Sequence, residues 1–124
     1  MGYKLKTSEK TEDLLIKMER SENLPIFTLA KLAISLSLRK GELAEVDMNT
    51  DVKGREFNRP TIMGDFDGIF KCLMELNANQ FLSDDEFFPS HVKAHLDRGA
   101  VILDQERKYG KDLLVHLSEL DKAI

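Results

Sequence analysis

The polar side chains best suited to chemistry lie together between residues 54 and 67. The segment reads Gly-Arg-Glu-Phe-Asn-Arg-Pro-Thr-Ile-Met-Gly-Asp-Phe-Asp. Arg55, Asn58 and Arg59 carry planar forks and an amide that suit phosphate oxygens, and they come just before a predicted helix N-terminus. The segment lacks the Gly-Lys-Ser/Thr ending of a P-loop, so it is not a nucleotide-phosphate cradle of that kind. It predicts contacts to a nucleic-acid backbone through Arg55 and Arg59.

The same segment also permits a purely structural interpretation. Arg59 is close in sequence to Glu56, Asp65 and Asp67, and together with Asn58 these residues can form a polar network that holds the loop. Asp65 and Asp67 fall on opposite edges of the helix that follows, so they cannot act as one acid–base pair. The sequence favours the structural role for Arg59 and leaves both roles open.

No arrangement of nucleophile and base can be assembled from the sequence. His91 and His95 are four residues apart, but Val92 stands where a zinc protease motif carries its glutamate. Cys72 lies in an apolar helical pattern with only Lys71 as a basic neighbour, which predicts a buried, unreactive thiol. We therefore expect no catalytic residue, no metal and no cofactor.

Charge is distributed unevenly along the chain. The net charge is −4, yet residues 1–40 hold eight Lys and Arg against five acids, and residues 61–124 hold seven against twelve. A DNA-binding surface normally carries positive charge, so the N-terminal part is the expected location. The candidate DNA-binding lysines are Lys4, Lys6, Lys10, Lys17 and Lys31.

No apolar run is long enough for a membrane span, and a lone cysteine is typical of a reducing compartment, so we expect a cytoplasmic protein.

Hydrophobic periodicity predicts a mainly α-helical, compact five-helix domain over residues 1–124, with a short strand at its start. Thr7 or Ser8 is expected to cap the first helix, and an apolar helix over 26–38 should be central. Residues 41–60 show no periodicity. Further helices are predicted over 60–77 and 89–106, followed by an amphipathic helix that begins near Leu113.

A strand followed by two helices also resembles the start of a ribbon-helix-helix unit. In that architecture two chains pair their first strands, and side chains from the ribbon enter the major groove of DNA. Lys4 and Lys6 would then share one face of the strand, with Leu5 on the other. The simpler alternative is a basic terminus that precedes a helix.

The helix predicted over 61–76 has two distinct faces. One face, centred on Phe66, is expected to be core and includes six further apolar residues, Ile62, Ile69, Phe70, Leu73, Met74 and Leu76. The opposite face carries Gly64, Gly68 and Cys72 at intervals of four. Each helical glycine costs about 1 kcal/mol relative to alanine, so a close contact with a second subunit is the preferred reason for them. The alternative is that Gly64 lies in the entry turn and only Gly68 is helical.

The 54–67 segment resembles the DndE family of bacterial DNA sulfur-modification (Dnd, phosphorothioation) proteins, and the run His95-Leu96-Asp97-Arg98-Gly99 supports this resemblance. The resemblance implies a non-catalytic, homotetrameric subunit that binds double-stranded DNA, with a preference for nicked duplex, beside other Dnd proteins that perform the sulfur chemistry. Two alternatives are a ribbon-helix-helix transcriptional regulator and a scaffold that binds only partner proteins of the complex.

Overall fold

The computed structural model describes residues 3–109 and 112–120, and its fold is mainly α-helical, as the sequence predicts. A turn of 3-10 helix, Gly64–Phe66, joins α4 to α5, and an irregular helical turn, Glu86–His91, leads into α6. The elements are β1 (Lys4–Lys6), α1 (Glu9–Glu22), α2 (Ile26–Lys40), α3 (Glu45–Met48), β2 (Glu56–Asn58), α4 (Arg59–Met63), α5 (Asp67–Ala78), α6 (Val92–Arg107) and α7 (Leu113–Ser118).

The first two helices form where the sequence places them. Ser8 caps α1, because its hydroxyl oxygen accepts a hydrogen bond from the Thr11 N–H at 3.1 Å. Leu15 and Met18 of α1 are fully buried. The second helix is apolar on most sides and buries Leu29, Ala30, Ala33 and Ile34, so the prediction of a central α2 is confirmed.

The core is organised around a very close crossing of α2 and α6. Gly99 of α6 lies against the backbone of α2, and a Cβ added there would stand 1.7 Å from the carbonyl oxygen of Ala33. Only glycine permits this approach, because any side chain would occupy the space of the α2 backbone. The first helix packs against both members of this pair, which places α1 on one side of it.

The connection over 41–60 contains more structure than the sequence predicts, including α3 and β2. β1 pairs antiparallel with β2 of its own chain, with Lys4 opposite Asn58, Leu5 opposite Phe57 and Lys6 opposite Glu56. Both Leu5 and Phe57 are buried, so the pairing is fixed by the core. A ribbon-helix-helix unit requires β1 to pair with the first strand of a second chain. In this structure β1 pairs instead with β2 of its own chain.

The helix predicted over 60–77 is divided, and its core face is partly misassigned. Gly64 adopts φ +53°, a left-handed conformation that ends α4 and changes the direction of the chain before α5. Ile62, Phe70 and Met74 are buried as predicted. Four other residues of the predicted core stripe are exposed instead, Phe66, Ile69, Leu73 and Leu76. Three of these four residues lie in α5 itself, so the wheel failed because it groups apolar residues without showing which part of the apolar surface faces the core.

We expect Gly99→Ala to lower the free energy of unfolding by about 3 kcal/mol, because the added methyl group must displace the α2 backbone. Gly68→Ala is the matched control. Gly68 also lies in a helix, but no atom of its own chain outside that helix would come within 4 Å of the new Cβ, so the stability of the single chain should rise or stay unchanged. Urea unfolding followed by circular dichroism measures both. Equal stability of the two variants would contradict the close crossing.

Candidate nucleic-acid interface

Arg59 is held in a clamp between two carboxylates. Its Nε and one terminal nitrogen donate to the two oxygens of Asp67 at 2.7 and 3.0 Å, and the other terminal nitrogen donates to Asp84 at 2.8 Å. The guanidinium also lies 5.1 Å from the ring centroid of Phe87 and 5.7 Å from that of Phe88. The two-pronged bond to Asp67 is the geometry in which arginine binds a carboxylate most strongly.

This clamp commits the guanidinium of Arg59 to partners within the protein. The bonds to Asp67 and Asp84 raise the pKa of Arg59 above its ordinary value, and only 18% of the side chain is exposed. All three donating nitrogens are occupied by carboxylates, so a DNA phosphate would have to displace one of them. Sequence reasoning anticipated Asp67 as a partner but not Asp84, because residues 59 and 84 are brought together only by the fold.

The remaining polar residues of the segment lie apart from this clamp. Glu56 is 3.6 Å from Lys4, and Asn58 lies opposite Lys4 in the ladder. Asp65 is exposed in the 3-10 turn. Of the network predicted from Glu56, Asn58, Asp65 and Asp67, the structure brings only Asp67 to Arg59.

Arg55 behaves differently from Arg59. Its guanidinium lies 5.6 Å from the ring centroid of Phe57, and its backbone N–H donates to the Thr7 hydroxyl at 3.0 Å. Within the described part of the chain, no carboxylate pairs with this guanidinium. The pleat places Arg55 on the same side of β2 as Phe57, whereas Lys4 and Lys6 project from the outer face of the ribbon.

The five candidate lysines do not form one surface. Lys10 and Lys17 are exposed and, being seven residues apart, lie on one face of α1. Lys6 is exposed at the end of β1, close in sequence to Lys10. Lys31, in contrast, lies 6.0 Å from the ring centroid of Phe66, beside α5. The structure therefore separates Lys31 from the lysines of β1 and α1.

A buried polar network supports the segment that carries these residues. The carboxylate of Asp97 accepts from the Ser8 N–H at 3.1 Å, from the Thr11 hydroxyl at 2.6 Å and from Lys93 Nζ at 2.6 Å. The hydroxyl of Thr50 donates to the same carboxylate. One carboxylate of α6 thus fixes the start of α1 and the connection around residue 50. The spacing of Lys93 and Asp97 by four residues is the sequence signal that could have revealed it.

Arg98 and His95 complete a second network at the C-terminal end of α2. Arg98 donates to the carbonyl oxygens of Ser37, Gly41 and Glu42, which lie at or just beyond that helix end. It also donates through Nε to the Ser37 hydroxyl at 2.8 Å. A cation that satisfies terminal carbonyl groups in this way stabilises a helix end. The run from His95 to Gly99 is therefore a structural motif that joins α6 to α2, α1 and residue 50.

His95 is fully buried, and its Nδ1 lies 2.8 Å from the Ser37 hydroxyl oxygen. Because Arg98 donates to that oxygen, the hydroxyl proton is available to Nδ1, which assigns the ring proton to Nε2. Nε2 has no hydrogen-bond partner among the described residues. Burial, with smaller effects of Arg98 and His91, lowers the pKa of His95 to about 3, so the ring is neutral at physiological pH.

The two histidines and the cysteine singled out in the sequence lie in different surroundings. His95 bonds within the core and His91 Nδ1 lies 2.7 Å from the Glu86 carbonyl oxygen, so neither ring is oriented by the other. Cys72 is exposed on α5, and the expectation of a buried thiol was wrong because α5 packs through its other side.

In the described residues, no helix is long and apolar enough to cross a membrane.

The fold and the site define a class of small, mainly helical proteins. Their features are a two-stranded ribbon that carries lysines and an arginine held between two carboxylates. The sequence matches the family model described as DNA sulphur modification protein DndE over residues 4–111. The chain therefore belongs to the DndE family, which takes part in DNA phosphorothioation. No curated protein matches the sequence.

Solved structures agree with this assignment at the level of the fold. The chain is similar to DndE from Escherichia coli B7A, described as involved in DNA phosphorothioation modification, with a TM-score of 0.67 at 18% identity over 83% of this chain and 97% of the other. It is also similar to a mutant of DndE involved in DNA phosphorothioation, with a TM-score of 0.65 at 17% identity over 82% and 97% of the two chains.

We expect Arg59→Lys to lower the free energy of unfolding by about 2 kcal/mol, because lysine cannot bond both oxygens of Asp67 and reach Asp84. Arg55→Lys is the matched control, since it removes a guanidinium that has an aromatic neighbour but no described carboxylate partner. Urea denaturation of the two variants compares them directly. A cost as large for Arg55→Lys as for Arg59→Lys would contradict the special role of the clamp.

Stability should also depend on pH through His95. The unfolded chain binds a proton at this ring near pH 6.5, whereas the folded ring does so only near 3. The free energy of unfolding is therefore highest above pH 6.5 and declines as pH falls below it, by roughly 3 kcal/mol at about pH 4.5. His95→Asn should reduce this slope when unfolding free energies are measured between pH 7 and pH 4.5. An unchanged slope would show that His95 does not titrate on unfolding.

Proposed function

We propose that this chain is a non-catalytic DNA-binding subunit of the bacterial phosphorothioation system, which binds double-stranded and preferentially nicked DNA as an oligomer. Membership of residues 4–111 in the DndE family carries the proposal. Other proteins of the Dnd system supply the sulfur chemistry and are its protein partners. The cytoplasm, where the DNA lies, is the proposed location.

The contact surface that we propose is the outer face of the ribbon with the adjoining face of α1. Lys6, Lys10 and Lys17 are exposed there and can reach phosphates without breaking a described bond. Lys4 adds to them, although Glu56 lies 3.6 Å away. Arg55 has no carboxylate partner among the described residues, but it lies on the inner side of the ribbon with Phe57, so it adds to this surface only from the edge. Arg59 and Lys31 are less suited, the first because of its carboxylate partners and the second because of its position beside Phe66.

The absence of a described nucleophile with its base favours binding over catalysis. The buried ionic pair of Lys93 and Asp97 is fully engaged with Thr50 and Thr11, so its groups act as supports. Phosphate contacts position a protein on DNA without reading its sequence, which fits recognition of a nick by shape rather than by base.

An oligomer, and in particular a homotetramer, is part of the proposal. Gly64, Gly68 and Cys72 are exposed, and a Cβ at either glycine would meet no atom within 4 Å. The positive φ of Gly64 accounts for glycine at that position. No packing among the described residues accounts for glycine at position 68, which supports a role for this face of α5 in contact with a second copy. Several phosphate-binding faces in one assembly would engage a duplex at more than one place.

A direct test titrates nicked and intact duplexes of one sequence with the protein at several salt concentrations, with the mass of the protein recorded in the same buffer. We expect tighter binding to the nicked duplex and an affinity that falls steeply with salt. Equal affinity would overturn the preference for nicks. Absence of binding at low salt would overturn direct DNA contact and leave the alternative of a scaffold for partner proteins.

Single lysine variants test the proposed surface. Lys10→Ala and Lys17→Ala should each weaken binding and reduce the slope of log affinity against log salt by roughly 1. Lys71→Ala is the matched control, because it removes the same charge from α5, where Lys71 lies near the Phe81 ring. A loss at Lys71 equal to that at Lys10 and Lys17 would mean that overall charge, and not this face, determines binding.

A further inference from the structure

An apolar stripe runs along the outer side of α5 and the turn before it. Phe66, Ile69, Leu73 and Leu76 make up this stripe, which we call the α5 seam, and they are between 43% and 77% exposed. The adjoining side of the helix buries Phe70 and Met74 in the core. The seam is thus not part of the fold of a single chain, and it is a larger apolar surface than scattered exposed residues would make.

The spacing of the seam is that of a helix pair. Its members follow one another at intervals of three, four and three residues, the a and d positions of a heptad pattern. Such a pattern buries its side chains when a second helix with the same spacing packs alongside at a small crossing angle. The α5 seam provides that spacing on every copy of the chain, so it is complementary to itself.

We propose that the α5 seam packs against the α5 seam of a second copy, antiparallel, about a two-fold axis. This inference rests on the proposed oligomer and names the face and the register by which two copies meet. A two-fold axis beside residue 71 sets Ile69 opposite Leu73 and Phe66 opposite Leu76 of the other copy. An isologous contact of this kind closes on itself and leaves both ribbons free.

Charge favours the antiparallel arrangement over the parallel one. The N-terminal end of the seam carries the exposed Asp65, and a parallel pair would bring this carboxylate together with its counterpart. The antiparallel pair instead brings Lys31, which lies beside Phe66, to the C-terminal end of the other α5. The carbonyl groups at a helix C-terminus attract a cation, and antiparallel helix dipoles attract each other.

The test of the face compares two leucine variants by mass in solution. Leu73→Asp places a charge in the seam, and Leu114→Asp makes the same change at α7, where the leucine is 48% exposed against 43% for Leu73. Light scattering should show a mass at least twofold lower for Leu73→Asp, with Leu114→Asp unchanged from the parent protein. Circular dichroism verifies that both variants are folded.

Each result separates the inference from the proposed function. A mass of Leu73→Asp equal to that of an oligomeric parent protein would overturn the seam and leave the oligomer proposal standing. A monomeric parent protein at all concentrations would overturn both the seam and the oligomer, whereas DNA binding is read independently in the titration.

Disulfide trapping tests the register. Cys72 is the only cysteine of the chain, so Cys72→Ser gives a background without thiols. In that background, Ile69→Cys and Leu73→Cys proteins of different tag length are mixed and oxidised. The antiparallel seam predicts that the main product on a non-reducing gel is the mixed dimer, which joins one Ile69→Cys chain to one Leu73→Cys chain. Dimers of each variant with itself, without the mixed product, would overturn the antiparallel register.

Discussion

The structure depends most on the contact between Gly99 and the backbone of Ala33. At Gly99, α6 lies so close to α2 that there is no room for a methyl group between the two backbones. This close approach brings the polar residues beside Gly99 into contact with neighbouring elements. Arg98 reaches the carbonyl groups at the end of α2, and Asp97 reaches the start of α1. If the two helices lay farther apart, neither set of bonds could form at its present length.

This arrangement explains why a long polar connection is ordered without a core of its own. Residues 41–55 are held at one end by Arg98, in the middle by Thr50 on Asp97, and at the other end by Gly54, whose N–H donates to the Thr7 carbonyl at 2.9 Å. Gly54 must be glycine, because an added Cβ would lie 2.2 Å from the Ser8 carbonyl oxygen. The ribbon that carries the proposed DNA contacts is therefore fixed to the same helix that organises the core.

The sequence predicted those parts of the fold that are determined by residues close together in the chain. The cap at Ser8 and the apolar surface of α2 follow from side-chain chemistry and periodicity alone. The seam was misassigned because a helical wheel shows that Phe66 and Leu73 share a side, but not whether the core or solvent lies there. The partner Asp84 and the bond from the Ser8 N–H to Asp97 could not be predicted, because they join residues 25 and 89 positions apart. Only the Lys93–Asp97 pair of that network gives a local signal.

The two sides of the molecule differ in a way that suits a DNA-binding assembly. Lysines are exposed on α1, and apolar side chains are exposed on α5, which contacts α2, α4 and the turn before α6. The proposed contact therefore rests on individual lysines, because α1 itself carries five acids against three bases.

Hydrogen–deuterium exchange of the protein, with and without nicked duplex, tests the central claim most directly, because it reports DNA contact and subunit contact residue by residue. The account predicts that DNA slows exchange in β1 and in α1, whereas α5 is slow already in the free protein because it is covered by a second copy. Exchange in β1 and α1 that does not respond to DNA, with new protection confined to α5, would contradict it.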